Sequence, residues 1–203
     1  LTQEVIDSLA YMGNEERLAY DIYTALHNYH ANNGEEIKQM ANIPKSEKKH
    51  VKIVQDIIKK YNINTDTLTE VVDPVANKDV AFAEMPMGEY DVAHIQELYD
   101  DLYAKGIVSK QAALEVGCIV EVVDVDDLDK FILQAEEANA TDIVAGFNVL
   151  RNGSYNHYWA FDKGLKNMGI SEGCGVLGSE YAKTEAEFPS SRGGGSQGGG
   201  GNN

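Results

Sequence analysis

Glu47 and His50 form a Glu-x-x-His pair, and this spacing places a carboxylate and an imidazole on the same side of one helical turn. Both residues stand where the local pattern calls for apolar side chains. That pattern advances by four and three residues in turn, as in a helix packed into a bundle, through Ile43, Glu47, His50, Val54, Ile57 and Tyr61. The sequence therefore predicts that two groups able to ligate a metal ion lie in a helical core.

Three other segments show the same arrangement, an apolar helical stripe with polar residues in its middle. Glu16 interrupts the first stripe, Glu121 and Asp124 interrupt the third, and Ser154 and His157 interrupt the fourth. Taken singly, each residue has an ordinary explanation as a capping, surface or hydrogen-bonded core residue. Their coincidence in four predicted helices indicates one polar layer inside a shared core.

A bound cation would stabilise such a layer, because a buried carboxylate without a partner costs several kcal/mol. Carboxylates and imidazoles suit iron, manganese or zinc, and the lack of thiolates in this set argues against a structural zinc finger. We therefore predict six metal ligands: Glu16, Glu47, His50, Glu121, Asp124 and His157. Two ions suit this set, and a single-metal or asymmetric site is an alternative. A further alternative is a plain helical bundle whose polar groups are satisfied by hydrogen bonds and waters.

These residues resemble the di-metal carboxylate proteins of the ferritin-like fold, which use one Glu from each of two helices and Glu-x-x-His from each of the other two. Glu16 with Ala19 and Tyr23 is similar to the first-helix pattern of the rubrerythrin branch. A closer resemblance, over about residues 5–165, is to the DUF2202 family within the ferritin-like superfamily. The residues that carry it are Tyr11, Met12, the run 15–23, Asn42, Ile43, Ser46, Glu47, His50, Gly117, Glu121, Asp124, Gly153, Ser154, Asn156 and His157.

The resemblance implies an all-α fold, namely a ferritin-like four-helix bundle with a long crossover between its second and third helices. It also implies a di-iron or di-manganese centre that reacts with oxygen or peroxide or oxidises ferrous iron. One position departs from the pattern, because Ser154 stands where a full ferritin-like site has Glu. Asp124, one turn after Glu121, could replace the missing carboxylate from the neighbouring helix.

The helical segments and their punctuation define the predicted domain organisation. We predict four long helices over about 2–29, 44–61, 109–135 and 141–167, a short helix over 91–105 in the crossover, and another over 179–187. His94 and Glu97 in the crossover helix are expected at the surface. The predicted divisions are a bundle over 1–168, a C-terminal extension over 169–188 and a Gly-rich tail over 189–203.

Composition restricts the partners and bears on the compartment. With 203 residues and a net charge of -16, the chain is poorly suited to nucleic acid or anionic membrane surfaces, and no stretch is apolar enough to span a bilayer. A disulfide between Cys118 and Cys174 would indicate an oxidising compartment. Asn139 starts an N-glycosylation pattern, and Leu1 is compatible with a processed N-terminus. We expect a secreted or extracellular protein, and otherwise a cytoplasmic one.

Two functions fit these observations. The first is a redox-active metal protein with iron or manganese, or with zinc as a further possible ion. The alternative is a non-catalytic metal-binding or structural protein of an extracellular assembly, in which the tail contacts a neighbouring copy. Aromatic residues close to the predicted ligands in sequence are interpreted as ordinary packing: Tyr20, Tyr23, Tyr155, Tyr158 and Trp159.

Overall fold

The computed structural model describes residues 1–64, 81–90 and 93–190. Six α-helices lie in these residues: α1 (Gln3–Asn32), α2 (Lys38–Asn42), α3 (Pro44–Lys60), α4 (Ala93–Gly106), α5 (Lys110–Glu137) and α6 (Thr141–Asn167). Three short 3-10 helices lie at Phe82–Glu84, Gly173–Leu177 and Ser179–Tyr181. The all-α prediction is confirmed for this part of the chain. Within it, no helix has the length and apolar character needed to cross a membrane.

The ends of the long helices follow from local chemistry. The side chain of Thr2 accepts a hydrogen bond from the first turn of α1, and that of Ser109 does the same for α5. Pro44 stands at the first position of α3, where its missing N–H is not needed. Asn62 and Asn139 adopt positive φ angles of 48° and 54° just beyond α3 and α5, a conformation that Asn tolerates.

The long helices pack so that a polar layer lies between two apolar clusters. Helix α1 contacts α3 and α5, and α6 contacts α5 and α3. The first apolar cluster contains Val5, Leu9, Val54, Leu128 and Phe147, and the second contains Ile22, Leu26, Val116, Phe161 and Leu165. Helices α1, α5 and α6 contribute residues to both clusters, whereas α3 contributes to the first and Ile43, just before α3, belongs to the second. The predicted pattern of apolar ends and a polar middle is therefore confirmed.

The crossover from α3 to α5 includes α4, as predicted, and α4 packs against α1 and α5. The buried guanidinium of Arg17, on α1, donates to the carbonyl oxygens of Pro86 and Glu89. These hydrogen bonds fix the segment just before α4 to α1. His94 and Glu97 are exposed, as expected. Parts of the predicted crossover, residues 65–80 and 91–92, lie outside the described residues.

A disulfide between Cys118 and Cys174 joins the C-terminal extension to α5. Hydrogen bonds to α6 hold the same extension further along. The indole Nε1 of Trp159 donates to the backbone carbonyl of Phe188 over 2.8 Å. The hydroxyl of Tyr158 donates to the backbone carbonyl of Tyr181 over 2.6 Å. The extension therefore packs on α5 and α6 as part of the described fold.

The predicted helix over 179–187 is wrong. A single 3-10 turn forms at Ser179–Tyr181, and irregular structure follows. The backbone N–H of Lys183 donates to the hydroxyl of Tyr158 over 3.0 Å instead of to a helical carbonyl. Contacts with α6 thus replace the local hydrogen bonds on which the helix prediction depends. Residues 191–203, most of the predicted tail, lie outside the described residues.

Removal of the disulfide should destabilise the fold. We expect the double variant Cys118→Ala/Cys174→Ala to lose about 2–4 kcal/mol of unfolding free energy, since the bond restricts the unfolded chain between residues 56 apart. Denaturant titration followed by circular dichroism, with both proteins free of metal, measures the loss. Wild-type protein unfolded with and without a thiol reductant is the control. Two titratable thiols in the untreated denatured protein would contradict the bond.

Candidate metal centre

Two groups of buried side chains meet in the polar layer. Glu16, Glu47 and His50 form one group, which we call the first position. Glu47, Glu121 and His157 form the other, the second position. The potential ligand atoms of each group lie within 4.8 Å of one another, and each of these residues is at most 8% exposed. Glu47 belongs to both groups.

The carboxylate of Glu47 joins the two positions because its two oxygens face different imidazoles. Its Oε2 lies 2.9 Å from Nδ1 of His50, and its Oε1 lies 2.8 Å from Nδ1 of His157. Glu16 Oε2 is 3.0 Å from Nδ1 of His50, and Glu121 Oε2 is 3.5 Å from Nδ1 of His157. Each imidazole therefore directs Nδ1 toward two carboxylates, as a ligand of a shared cation would.

Four helices supply the five side chains of the two groups. Glu47 and His50 lie one turn apart on α3, so both side chains leave the same face. Glu16 comes from the middle of α1, Glu121 from α5 and His157 from α6. The two imidazole rings lie 5.8 Å apart with their planes at 29°.

Tyr23 holds the oxygen of Glu121 that does not face His157. Its hydroxyl donates to Glu121 Oε1 over 2.6 Å, and the phenol is completely buried. The ring packs 5.2 Å from Phe161, whose own ring occupies the space that a Cβ at Gly117 would fill. Sequence reasoning interpreted Tyr23 as packing, although its place on the α1 stripe, seven residues after Glu16, was a signal for this contact.

Asp124 lies in the polar layer but outside both groups. The hydroxyl of Ser154 donates to its Oδ2, and Ser154 also donates to the carbonyl of Leu150 over 3.2 Å. Burial, and then the charge of Glu16, raise the pKa of Asp124 well above its usual range. The structure therefore brings together five of the six predicted ligands, and ligation by Asp124 stays a prediction.

Charges within the layer compensate one another in the metal-free protein. Burial disfavours the charged imidazoles, but carboxylates outweigh it and raise the pKa of His50 to about 12 and that of His157 to about 10. Burial likewise disfavours the ionised form of Glu47, but His157 and His50 hold its pKa below the usual range. At Glu16, burial raises the pKa and the charge of His50 lowers it. Burial has the larger effect, so the pKa of Glu16 rises to about 7.

Several buried polar atoms of the layer have no hydrogen-bond partner among the described residues. They are Glu16 Oε1, Glu47 Oε1 and His157 Nδ1. Glu47 Oε1 and His157 Nδ1 are close, but their alignment is not that of a hydrogen bond. A cation coordinated by these oxygens and nitrogens would satisfy all three atoms. The residues thus fit a transition-metal ion with carboxylate and imidazole ligands.

The fold and this layer define a class of all-helical proteins with a buried carboxylate and histidine centre. Similarity to known proteins agrees, since the family model described as "Uncharacterized protein domain (DUF2202)" matches residues 5–182. The chain belongs to this family, and the predicted DUF2202 resemblance is confirmed. Membership of the ferritin-like superfamily stays a prediction.

A relative and a solved structure carry the same name. The chain is 32% identical over 169 residues to uncharacterized protein MJ0754 of Methanocaldococcus jannaschii. These residues are 83% of this chain and 79% of that protein. A crystal structure of hypothetical protein MJ0754 from Methanococcus jannaschii is similar with a TM-score of 0.69 at 32% identity, over 83% of each chain. The family match over residues 5–182 includes all five residues of the two groups.

Loss of the Tyr23 hydroxyl should weaken metal binding at the second position. We expect Tyr23→Phe to lower affinity there by about 10–100-fold, because Glu121 loses the donor that orients its carboxylate. Competition with a chelator of known affinity measures the change. Tyr20→Phe is the matched control, since Tyr20 lies on the same helix and packs edge-on against Phe82. Equal affinities in both variants would contradict this role.

Metal loading should release protons. Because the pKa values of His50 and His157 are about 12 and about 10, both imidazoles carry a proton at pH 7 that an ion at Nδ1 must displace. The apparent affinity should therefore rise by at least about tenfold per pH unit for each ion, and more steeply below pH 7 at the first position, where Glu16, with a pKa of about 7, releases a further proton. Calorimetry in buffers of different ionisation enthalpy counts the released protons, with His94→Gln as an exposed control. An affinity independent of pH between about 6 and 8 would contradict this coupling.

Proposed function

We propose that this protein is a ferritin-like four-helix bundle that binds two transition-metal ions, iron or manganese, and performs redox chemistry with them. Its reactants are dioxygen, peroxide or ferrous iron. The observation that carries the proposal is the position of Glu47, whose two oxygens face two different imidazoles at 2.9 and 2.8 Å. Glu47 would thus be the residue shared by two ions, one held at each position.

Charge balance favours two divalent ions over one. Glu16, Glu47, Glu121 and Asp124 supply four negative charges within one buried layer when all are ionised. Two divalent cations neutralise this charge without retained protons, whereas a single ion would need protons on the remaining imidazole and carboxyl groups to reach the same balance. In the metal-free protein, protons and imidazolium groups take over this neutralisation. Asp124 contributes its charge in this account whether or not it ligates an ion.

The donor set and the enclosure indicate the chemistry. Oxygen and imidazole ligands suit iron and manganese, which supply electrons by changing oxidation state, whereas zinc would bind without redox chemistry. The chain's own residues would hold the ions. Tyr23 orients the carboxylate of Glu121 through its hydrogen bond. The site residues are almost fully buried, so they exclude bulk water. Such an enclosed site admits small reactants only.

The helix arrangement supports the ferritin-like assignment. Four long helices, α1, α3, α5 and α6, supply the ligands, and a long crossover that contains α4 joins α3 to α5. This is the order expected of two helical hairpins joined by one crossover. One Glu comes from each of α1 and α5, and a Glu-x-x-His pair comes from α3.

The second candidate is a metal-binding or structural protein of an extracellular assembly, without turnover. The buried disulfide favours it, since such bonds persist in oxidising compartments and are rare in the cytosol. The strongly acidic composition is compatible with cation binding outside the cell. Two bound ions per chain without consumption of peroxide or oxidation of ferrous iron would favour this candidate over the first.

Substitution of individual carboxylates tests the shared centre. We expect elemental mass spectrometry to find about two iron or manganese ions per native chain, none in Glu47→Ala, and about one in each of Glu16→Ala and Glu121→Ala. Loss of both ions follows from the double contact of Glu47. Glu97→Ala, an exposed carboxylate on α4, is the matched control.

Activity assays complete this test. Peroxide consumption and ferrous iron oxidation should disappear in Glu47→Ala and persist in the Glu97→Ala control. Metal-free wild-type protein, purified without chelator, would refute the two-metal centre. Turnover that survives in metal-free Glu47→Ala would refute the redox proposal while leaving metal binding intact.

A further inference from the structure

Gly153 of α6 lies directly against the imidazole of His50. A Cβ atom at position 153 would lie 2.4 Å from Cε1, 2.7 Å from Nε2 and 3.7 Å from Nδ1 of that ring. These three are the nearest atoms, and all belong to His50. A Cβ atom makes no hydrogen bond and is essentially never found within 3.0 Å of a non-bonded heavy atom. Any side chain at position 153 would therefore displace the ring.

Any movement of the His50 ring breaks contacts that the ring makes in the structure. Its Nδ1 faces the oxygens of Glu16 and Glu47 at 3.0 and 2.9 Å, and its Nε2 lies 3.4 Å from the hydroxyl of Ser46. Helix α6 is held as well, because Ser154 donates to Asp124 on α5 and α6 makes its most extensive contacts with that helix. A larger residue at position 153 therefore acts on the imidazole rather than on the backbone.

We propose that Gly153 is a positioning residue that decides whether the first position binds a metal ion, and so whether the centre holds two ions or one. The inference rests on the proposed two-metal centre and adds the residue that sets its nuclearity. Gly153 acts only through His50. It belongs to neither group of ligands.

The size of the displacement supports this selectivity. The ring must move by about half an ångström or more to relieve the contact. Ligand distances in metal sites are held within about 0.2 Å, so this movement removes Nδ1 from the first position. The second position uses Glu121, His157 and the oxygen of Glu47 that faces His157, and none of these is among the atoms nearest to position 153. It should therefore retain its ion.

The variant Gly153→Ala tests the inference in the full-length protein loaded with cobalt(II) or iron(II). We expect two ions per chain in the wild type and one in Gly153→Ala, with half of the cobalt ligand-field absorption lost. Gly146→Ala is the matched control on the same helix, because its Cβ would lie 2.7 Å from the flexible end of Ile57 and at an ordinary contact distance of 3.5 Å from Ile53. It should retain two ions.

The other outcomes are decisive. Two ions in Gly153→Ala, or none in a folded Gly153→Ala, would overturn the inference while the wild type still binds two. Absence of metal from the wild type would instead overturn the proposed function. If Gly153→Ala folds poorly, a double-mutant cycle with His50→Ala replaces metal counting. The drop in melting temperature caused by Gly153→Ala should vanish in the metal-free His50→Ala background, and a drop that persists there would overturn the inference.

Discussion

The carboxylate of Glu47, buried between two imidazoles, is the interaction on which the polar layer depends. Its oxygens lie 2.9 and 2.8 Å from Nδ1 of His50 and His157. An isolated carboxylate at this depth would be strongly unfavourable, and two cationic partners turn the same burial into mutual stabilisation. The layer therefore tolerates ionised groups only because they are arranged as pairs, and metal ions would replace the protons of those pairs.

The apolar clusters on either side make this arrangement rigid. Leu9 and Phe147 belong to the cluster on one side, and Ile22 and Phe161 to the cluster on the other, so α1 and α6 are anchored above and below the polar layer. Close packing leaves the side chains of the layer few alternative rotamers. This packing, rather than the ligands themselves, sets their separation. The extension joined by the disulfide adds a further constraint on α5 and α6.

The sequence was sufficient to predict the four long helices and the five residues that meet in the two groups, because both follow from helical periodicity. A polar residue at a seam position such as Glu16 or His157 must enter the core if the helix packs at all. Contacts between helices could not be predicted in the same way, because periodicity gives the face of a residue but not its partner. The bond from Tyr23 to Glu121 depends on how α1 and α5 are aligned. The predicted helix over 179–187 was wrong for a related reason, because tertiary hydrogen bonds to α6 outweighed local helix propensity.

Ser154 explains why so much depends on one carboxylate. A glutamate there would give α6 a second candidate bridge, whereas the serine hydroxyl donates to Asp124 and holds that carboxylate outside both groups. The layer thus keeps the number of carboxyl groups that the pattern predicts, but Asp124 supplies the fourth one from α5, held by Ser154. Two features that one glutamate would combine are therefore separate: Asp124 is the additional carboxyl group, and Glu47 is the member of both groups. Among the described residues only Glu47 links the two positions, so they are joined through α3 alone.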